Sequence, residues 1–552
     1  MGAKAGALNS YLIDKPIDRR LWSAVVTHRT HKGKHLDFVR NKPMLQVYRD
    51  ESPYICHMKG TQAGSTEFLV WYAINQAILG RSVFYVLPTY NLVGRFVKNR
   101  IDRTVDRTPE YVANVAREVV KRRQSESMTL KHFGNGAIAF IGSNSPVGFT
   151  EYPADIAIED EVDECDPANL EMVPERLAAS DLRWRLRVGN PTIPDSPLDE
   201  AFKYGCRYRW HLTCECGNKF NPDFFKHVVE DLGDGRFRVI DEEWEENSAQ
   251  DCRIICDRCG KPVDRKGEGE WVAEDQALES LGRHSYHFSK LFTGTVTIAE
   301  IIDRLERGTR DPAALVRFWN GDLGLPYMPK GANIDAEALN ACREEYAMPA
   351  KGEGGLNLCG IDVGTKFHVW IARLANFEAG ARLKSLYIGT VSNLREIMEL
   401  LARYRVGCGV IDAMPETRIA RMITTRHPGM FACYYAANSG LSKHDLLQKK
   451  VVTVDRTASI DQAKEAVESK FLMLPRDADN IPDLYAQVSA SVRVFDEKAN
   501  QERGAWKWQE GSKPDHYLHA LNYLVIARGL ASQVQKRGLS LRPAGGTVTT
   551  EG

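Results

Sequence analysis

Residues 54–66 read Tyr-Ile-Cys-His-Met-Lys-Gly-Thr-Gln-Ala-Gly-Ser-Thr, and the run Glu-Phe-Leu-Val-Trp-Tyr-Ala-Ile-Asn-Gln-Ala-Ile-Leu follows directly. A short apolar run ending at Lys59, a glycine-bearing loop and a helix-forming stretch is the strand–loop–helix order a phosphate-binding loop requires. Aligned on Gly64 and Thr66, the usual loop has glycine first and lysine seventh; here Lys59 stands first and Ser65 seventh. The exchange keeps the physics. The amides of Gly60, Thr61, Gln62, Ala63, Gly64 and Ser65 can wrap phosphate oxygens, and an ammonium at the loop's other end reaches the same β- and γ-phosphates. The Thr66 hydroxyl can bind Mg2+. The expectation is an ATP site.

The run Ile156-Ala-Ile-Glu-Asp-Glu161 supplies its second half, an apolar strand closing on adjacent carboxylates. Strand ends at the carboxyl edge of an open α/β sheet are where nucleotides bind. Asp160 is expected to hold Mg2+ through water, and Glu161 to polarise the attacking water as general base. The register stays open by one residue, with Glu159–Asp160 the competing pair, because residues 159–166 (EDEVDECD) hold further carboxylates. A third strand, Leu186-Arg-Val-Gly-Asn-Pro-Thr192, offers Asn190 or Thr192 to sense the γ-phosphate. Between Tyr54 and Asn190, short apolar runs alternate with helical stretches, which predicts a mostly parallel sheet with crossover helices.

A second α/β pattern starts at Leu356-Asn-Leu-Cys-Gly-Ile-Asp362-Val-Gly364, after the Pro/Gly/Lys-rich stretch 348–356. Its first strand carries Asp362, the strand Gly407–Asp412 ends in Asp412, and Pro514 sets Asp515 at the start of the last apolar helix. Three acids from separate elements can converge to bind two divalent ions about 4 Å apart, the arrangement of two-metal nucleases. Glu416, His516 and His519 are auxiliary candidates.

Six of the 12 cysteines fall between Cys206 and Cys259. In a reducing compartment that clustering favours a metal over disulfides. Cys214-Glu-Cys216-Gly and Cys256-Asp-Arg-Cys259-Gly form two knuckle-like turns suited to structural, tetrahedral Zn2+. The one-residue gap of the first pair is atypical, and Cys252 or His211 can stand in for one member.

The charge balance, 73 Lys and Arg against 73 Asp and Glu, announces no nucleic-acid partner. DNA contact would have to come from local stripes: Arg95–Arg107, Lys121–Arg123 or Arg183–Arg187. No apolar run is long enough for a transmembrane helix and the N-terminal stretch has no signal-peptide pattern, so a cytosolic location without a membrane is expected. The expected layout is a lead-in over 1–45 and an ATPase domain over 46–330 with a Cys-rich insertion at 206–265. A linker over 331–355, a nuclease domain over 356–534 and a disordered tail over 535–552 complete it.

The Lys59-x-x-Gln62-x-Gly64-x-Thr66 loop resembles that of terminase large subunits of tailed phages and prophages, in particular the lambda-type group. Also similar are Gly142-Ser-Asn-Ser-Pro146, the Asp-Glu pair, the Gly-Asn-Pro-Thr turn and Phe318-Trp-Asn-Gly-Asp-Leu-Gly-Leu-Pro326, a likeness spanning roughly residues 40 to 530. The resemblance implies a P-loop ATPase with a zinc-ribbon-like insertion and an RNase H-like nuclease whose acids are Asp362, Asp412 and Asp515. It implies a subunit that translocates duplex DNA into a procapsid and cuts the concatemer. Mg2+ is implied at both sites, with Mn2+ an option in the nuclease. An arginine from among Arg95, Arg100 and Arg103 would join the ATP site. The implied partners are a small terminase subunit, the portal and further copies in a ring, all in the host cytoplasm. A helicase–nuclease of repair or restriction is the alternative.

Overall fold

The structure, a computed structural model, describes residues 19–39, 41–122, 129–233, 235–244, 251–329, 331–376, 381–436, 449–496, 505–511 and 513–536. The basic stripe's Arg123 and the expected tail beyond 536 lie outside these residues. The chain divides into two units, Met1–Met328 and Pro329–Gly552. No helix among the described residues is long and apolar enough to cross a membrane.

Seven strands form the sheet of the first unit: β1 (Tyr54–Lys59), β2 (Ser82–Leu87), β3 (Leu130–Phe133), β4 (Gly136–Gly142), β5 (Ile156–Asp160), β6 (Trp184–Gly189) and β7 (Arg283–Phe288). Their spatial order is β7-β1-β6-β5-β2-β4-β3, parallel throughout except for the β3–β4 pair. β1 is buried along its whole length, as expected of a parallel strand covered on both faces. Helix α1 (Ser65–Ile78) covers one face, inserting Phe68, Leu69, Trp71 and Tyr72 into a core shared with Tyr48. Phe84, Phe149, Leu198 and Phe202 fill the opposite face. Since β6 separates β1 from β5, the turn after β6 lies between the loop and the acidic tip.

Part of the expected lead-in belongs to this core. Leu21, Ala24, Val25, Phe38, Met44 and Leu45 are buried, and the Trp71 Nε1–H donates to Ser23 Oγ at 3.0 Å. Those apolar positions are too few and too closely broken by basic residues to announce themselves in sequence. The Cys-rich insertion also runs further than residue 265. Gly269–Val272 pairs antiparallel with Arg209–Thr213, which pairs with Lys219–Phe220. Trp271 anchors it, packing 5.0 Å from the Tyr286 ring of β7 and donating to the Pro43 carbonyl at 2.9 Å.

The second unit holds β8 (Leu356–Val363), β9 (Phe367–Leu374), β10 (Leu383–Val391), β11 (Val406–Asp412), β12 (Met430–Tyr435), β13 (Val451–Val454) and β14 (Leu472–Met473). Spatial order is β13-β12-β11-β8-β9-β10-β14. β8, β9 and β10 form an antiparallel meander, while β11 adds parallel to β8 on its other side. Helix α2 (His516–Lys536) lies across β8 and β11 with Leu518, Leu521 and Leu524 wholly buried. Gly360 of β8 is what admits it: a Cβ there would meet the Ala520 carbonyl oxygen at 2.1 Å.

Residues 331–355, expected as a linker, are part of this unit. Ile334, Leu339 and Cys342 join its core, and Cys342 and Glu344 bond backbone-to-backbone with Leu474. The glycine-rich stretch is pinned too, Gly352 donating its amide to the Arg403 carbonyl at 3.1 Å. The fold therefore divides before this segment, because its larger apolar side chains Ile334, Leu339 and Cys342 are used in packing.

Candidate functional site

Lys59 ends β1 with only 5% of its surface exposed. Its Nζ donates to Asn190 Oδ1 at 2.8 Å and lies 3.3 Å from Glu161 Oε1, so the tips of β1, β6 and β5 meet at one ammonium. Gln62 and Gly64 both adopt positive φ (63° and 92°), turning the loop so that successive amides face the same side before α1 begins. The first amides of a helix have no intrahelical partner, which leaves those from residue 62 onward for an anion. Gly60 and Thr61, also expected to wrap phosphate, instead donate their amides to the carbonyls of Phe288 and Gly321, each at 2.8 Å. The Phe318–Pro326 segment thus braces the loop from behind. A Cβ on Gly60 would sit 2.9 Å from Gly321 O.

At the tip of β5 Asp160 and Glu161 lie on the Lys59 side, and Glu159 does not. Asp160 accepts from the Tyr85 hydroxyl at 2.9 Å, and Glu161, in the left-handed region at φ 55°, turns its carboxylate to Lys59. Glu159 points the other way. It is wholly buried and held by Arg185 at 2.5 Å and Arg187 at 3.0 Å. The stripe Arg183–Arg187 is accordingly in large part internal charge compensation, which a buried carboxylate requires. Thr192 is also committed, bonding Asp163 through hydroxyl and amide. Of Arg95, Arg100 and Arg103, Arg100 is drawn inward, 2.8 Å from His31 Nδ1 and 3.8 Å from Glu67, while the other two are exposed.

Burial, reinforced by the Glu161 charge, pushes the Asp160 carboxyl up to about 7 against the pull of Lys59. Asp160 Oδ1 and Ser65 Oγ are both buried without a hydrogen-bond partner. Buried polar atoms are rarely left so, and an oxygen-rich pocket with an unpaired carboxylate oxygen and hydroxyl fits a hard cation carrying phosphate. Thr66 is half-buried beside them.

In the second unit the carboxyl ends of β8 and β11 and the start of α2 bring acids to one edge. The expected trio does not form a single cluster. The ligand atoms of Asp362, His368 and His516 lie within 4.8 Å of one another, as do those of Glu510, Asp515 and His519; Asp412 joins neither group. Asp412 is nonetheless near enough that Asp362 adds to the upward push burial gives its carboxyl. The two groups adjoin, since the charges of both Asp362 and Asp515 act on His516, His519 and Glu510. His516 Nδ1 lies 2.9 Å from Asp362 Oδ2, and that hydrogen bond raises its pKa despite burial. Burial alone would raise Asp515, but His519 at 3.3 Å and the Ser491 hydroxyl at 2.6 Å hold it down to about 2. Mixed carboxylate and imidazole donors suit a divalent ion. Glu416 is exposed and joins neither group. Glu510 and His368 carried no sequence signal: one follows a hairpin strand, the other is the second residue of β9.

The four thiols Cys214, Cys216, Cys256 and Cys259 lie within 4.8 Å of one another, with Cys214–Cys259 at 3.6 Å and Cys216–Cys256 at 3.9 Å. Gly217 and Gly260 take positive φ in the matching turns, so the short first gap is no obstacle. Cys252 and His211 stand outside the group. Although burial works against it, Asn218 and the backbone amides of Arg258 and Cys259 hold the Cys256 thiol down to about 6. A tetrad of four free thiols fits Zn2+.

Comparison with known families matches residues 41–275 to the ATPase domain of phage terminase large subunit gpA, and residues 283–373 to the endonuclease domain of the same subunit. Together they span more than half of the chain; Asp412 and Asp515 lie beyond them. Among solved structures, the large terminase of a thermophilic bacteriophage is 14% identical, covering 88% of this chain and 97% of its own, at a TM-score of 0.29. The Thermus phage P74-26 large terminase ATPase domain is 13% identical over 56% of this chain and 98% of its own, at 0.32. The Phi-28 gp11 DNA packaging motor is 9% identical over 78% and 96%, at 0.25. No curated protein sequence matches.

Proposed function

Because the chain belongs to the gpA family of phage terminase large subunits, and is thus a DNA-packaging motor subunit with ATPase and nuclease domains that use ATP and divalent metal, we propose the following division of labour among its residues. The amides of residues 62–66 and the Lys59 ammonium bind the β- and γ-phosphates. Glu161 Oε1 accepts the proton of the attacking water, and Asn190 holds Lys59 and reports the γ-phosphate. Thr66, Ser65 and Asp160 would hold Mg2+, which when bound neutralises charge developing on the phosphates. The observation carrying this reading is the meeting of Lys59, Asn190 and Glu161 beside two buried, partnerless oxygens.

In the second unit Asp362, His368 and His516 form one donor set and Glu510, Asp515 and His519 another, with Asp412 at the tip of β11 as a further ligand. They would hold Mg2+ or Mn2+, which supplies an activated water and stabilises the leaving 3′ oxygen. Within the sets Asp362 also orients His516 and Asp515 orients His519, and the Ser491 hydroxyl donates to Asp515. The Cys214–Cys259 tetrad holds a structural Zn2+. The two units, Met1–Met328 and Pro329–Gly552, are then the motor and the nuclease. A small terminase subunit, a portal and a ring of copies in the host cytoplasm complete the working assembly.

A packaging assay with Lys59→Ala and Asp362→Ala side by side tests the reading. Lys59→Ala should abolish ATP turnover and DNA import while leaving cleavage of a short duplex intact; Asp362→Ala should spare import and stop cleavage. Loss of both activities in either variant would overturn the separation of sites.

A further inference from the structure

Basic side chains of the second unit are commonly spent on carboxylates: Arg373 and Lys384 on Glu353, Arg382 on Glu344, Arg395 on Glu399, Arg456 on Glu510, Arg493 on Asp461. The helix Thr417–Arg426 is different. Ala420, Ile423 and Thr424 face the sheet. Arg418, Arg421 and Arg426 are exposed on the other side, and none has an ion-pair partner among the described residues. With Met422 and Thr425 they line one open hollow that contains no carboxylate. The helix begins directly after the Asp412 turn, at the edge where Asp362, Asp515 and Glu510 gather.

Physical chemistry makes that placement informative. An edge that gathers four carboxylates against one guanidinium, Arg456, repels a polyanion when no metal is bound, so cations to the side help to hold a duplex there. Three unpaired guanidiniums on one rigid helix provide them, and their planar forks suit phosphate oxygens. From Arg418 to Arg426 the helix rises about 12 Å at ~1.5 Å per residue. Each strand of a duplex places one phosphate every ~3.4 Å of the duplex axis, so a helix of this length lying along that axis spans about three or four such steps. The near absence of apolar anchors argues against a protein-binding groove, which would want aromatic or aliphatic residues at its centre.

We infer that the Arg418–Arg421–Arg426 face is the backbone grip of the nuclease unit, holding duplex DNA through its phosphates, without reading sequence, beside the carboxylate edge. This deepens the nuclease reading above and rests on it. None of the three arginines touches the donor groups; they are positioning residues for substrate.

The test is binding of the full chain to a mixed-sequence DNA duplex, without ATP or added divalent metal, over a series of salt concentrations. Each phosphate contact contributes about 0.9 to the slope of log affinity against log salt. Replacing Arg418, Arg421 and Arg426 together by Ala should flatten the slope by roughly 2.7 and weaken binding at least tenfold at low salt, equally for unrelated sequences. The matching Arg→Lys triple variant should keep the slope, and ATP turnover should be unchanged in both. Alanine favours helix, so the exposed face tolerates it; if the triple variant nevertheless unfolds, Arg421→Ala alone should flatten the slope by about one unit. An unchanged slope in a folded variant overturns the inference. Asp362→Ala should bind normally in this assay and, in a parallel reaction with Mg2+ added, fail to cut where the parent cuts. If it cuts, the nuclease reading fails on its own account; if it cuts nothing while the arginine variants bind like the parent, only the grip is refuted.

Discussion

Gly360→Ala is expected to disable the nuclease unit without touching the motor. The added methyl would fall 2.1 Å from the Ala520 carbonyl oxygen and 2.3 Å from the Leu524 amide nitrogen, where ordinary contact begins at 3.4 Å. Both colliding atoms are helix backbone, so no side chain can swing aside. β8 and α2 must separate by more than an ångström along a seam of wholly buried side chains. Overpacking a well-filled core costs about 1–3 kcal/mol, occasionally more, and the upper end applies here because rigid elements have to move. For a domain of this size each kcal/mol lowers the melting temperature by roughly 2–4 °C, so a drop of roughly 6–12 °C is expected. The same displacement parts Asp362, two residues beyond Gly360, from Asp515 and His516 at the start of α2. A misplacement of about 1 Å at a reacting centre can cost ~100-fold in rate. The assay is differential scanning calorimetry of the full chain together with plasmid cleavage and ATP turnover. A variant that melts within a degree of the parent and cuts at the parental rate would refute the reasoning.

Three further outcomes are expected. Asp160→Asn should abolish ATP hydrolysis yet raise the melting temperature at pH 8 in nucleotide- and metal-free protein. A carboxyl lifted from 3.8 to about 7 loses folding stability as pH rises through that window, and Asn carries no such burden; a lower melting temperature would contradict this. The Asp515–His519 pair should support the second unit most between about pH 4 and 6.5. The depressed Asp515 loses its contribution as pH falls from 3.8 toward about 2, and the raised His519 loses its own as pH rises through its folded value. His519→Gln should therefore flatten the alkaline limb of melting temperature against pH, measured without metal. Cys256→Ser should remove one bound zinc per chain, measured by atomic absorption, and weaken the insertion first, seen as faster proteolysis between 206 and 272; full zinc content would exclude Cys256 as a ligand.

The phosphate loop, the acidic strand and the two α/β patterns were legible in sequence because each is local. A strand end, a glycine turn and a helix start sit within a dozen residues, so spacing alone carries the chemistry. The cysteine tetrad was legible for the same reason. What spacing could not convey was which side of a strand a charge faces once neighbours are added. Glu159 and Asp160 are adjacent, and the position of β6, which brings Arg185 and Arg187 to Glu159, leaves Asp160 on the Lys59 side. The same limit hid Glu510 and His368, brought to Asp515 and Asp362 by a hairpin and an antiparallel neighbour rather than by any motif. Residues 331–355 read as a linker because composition registers glycine and proline, whereas three buried side chains decide that the segment is core. Local order along the chain sets which backbone elements form and which groups they carry. Desolvation and charge pairing, which exist only between elements far apart in sequence, decide which of those groups remain free to do chemistry.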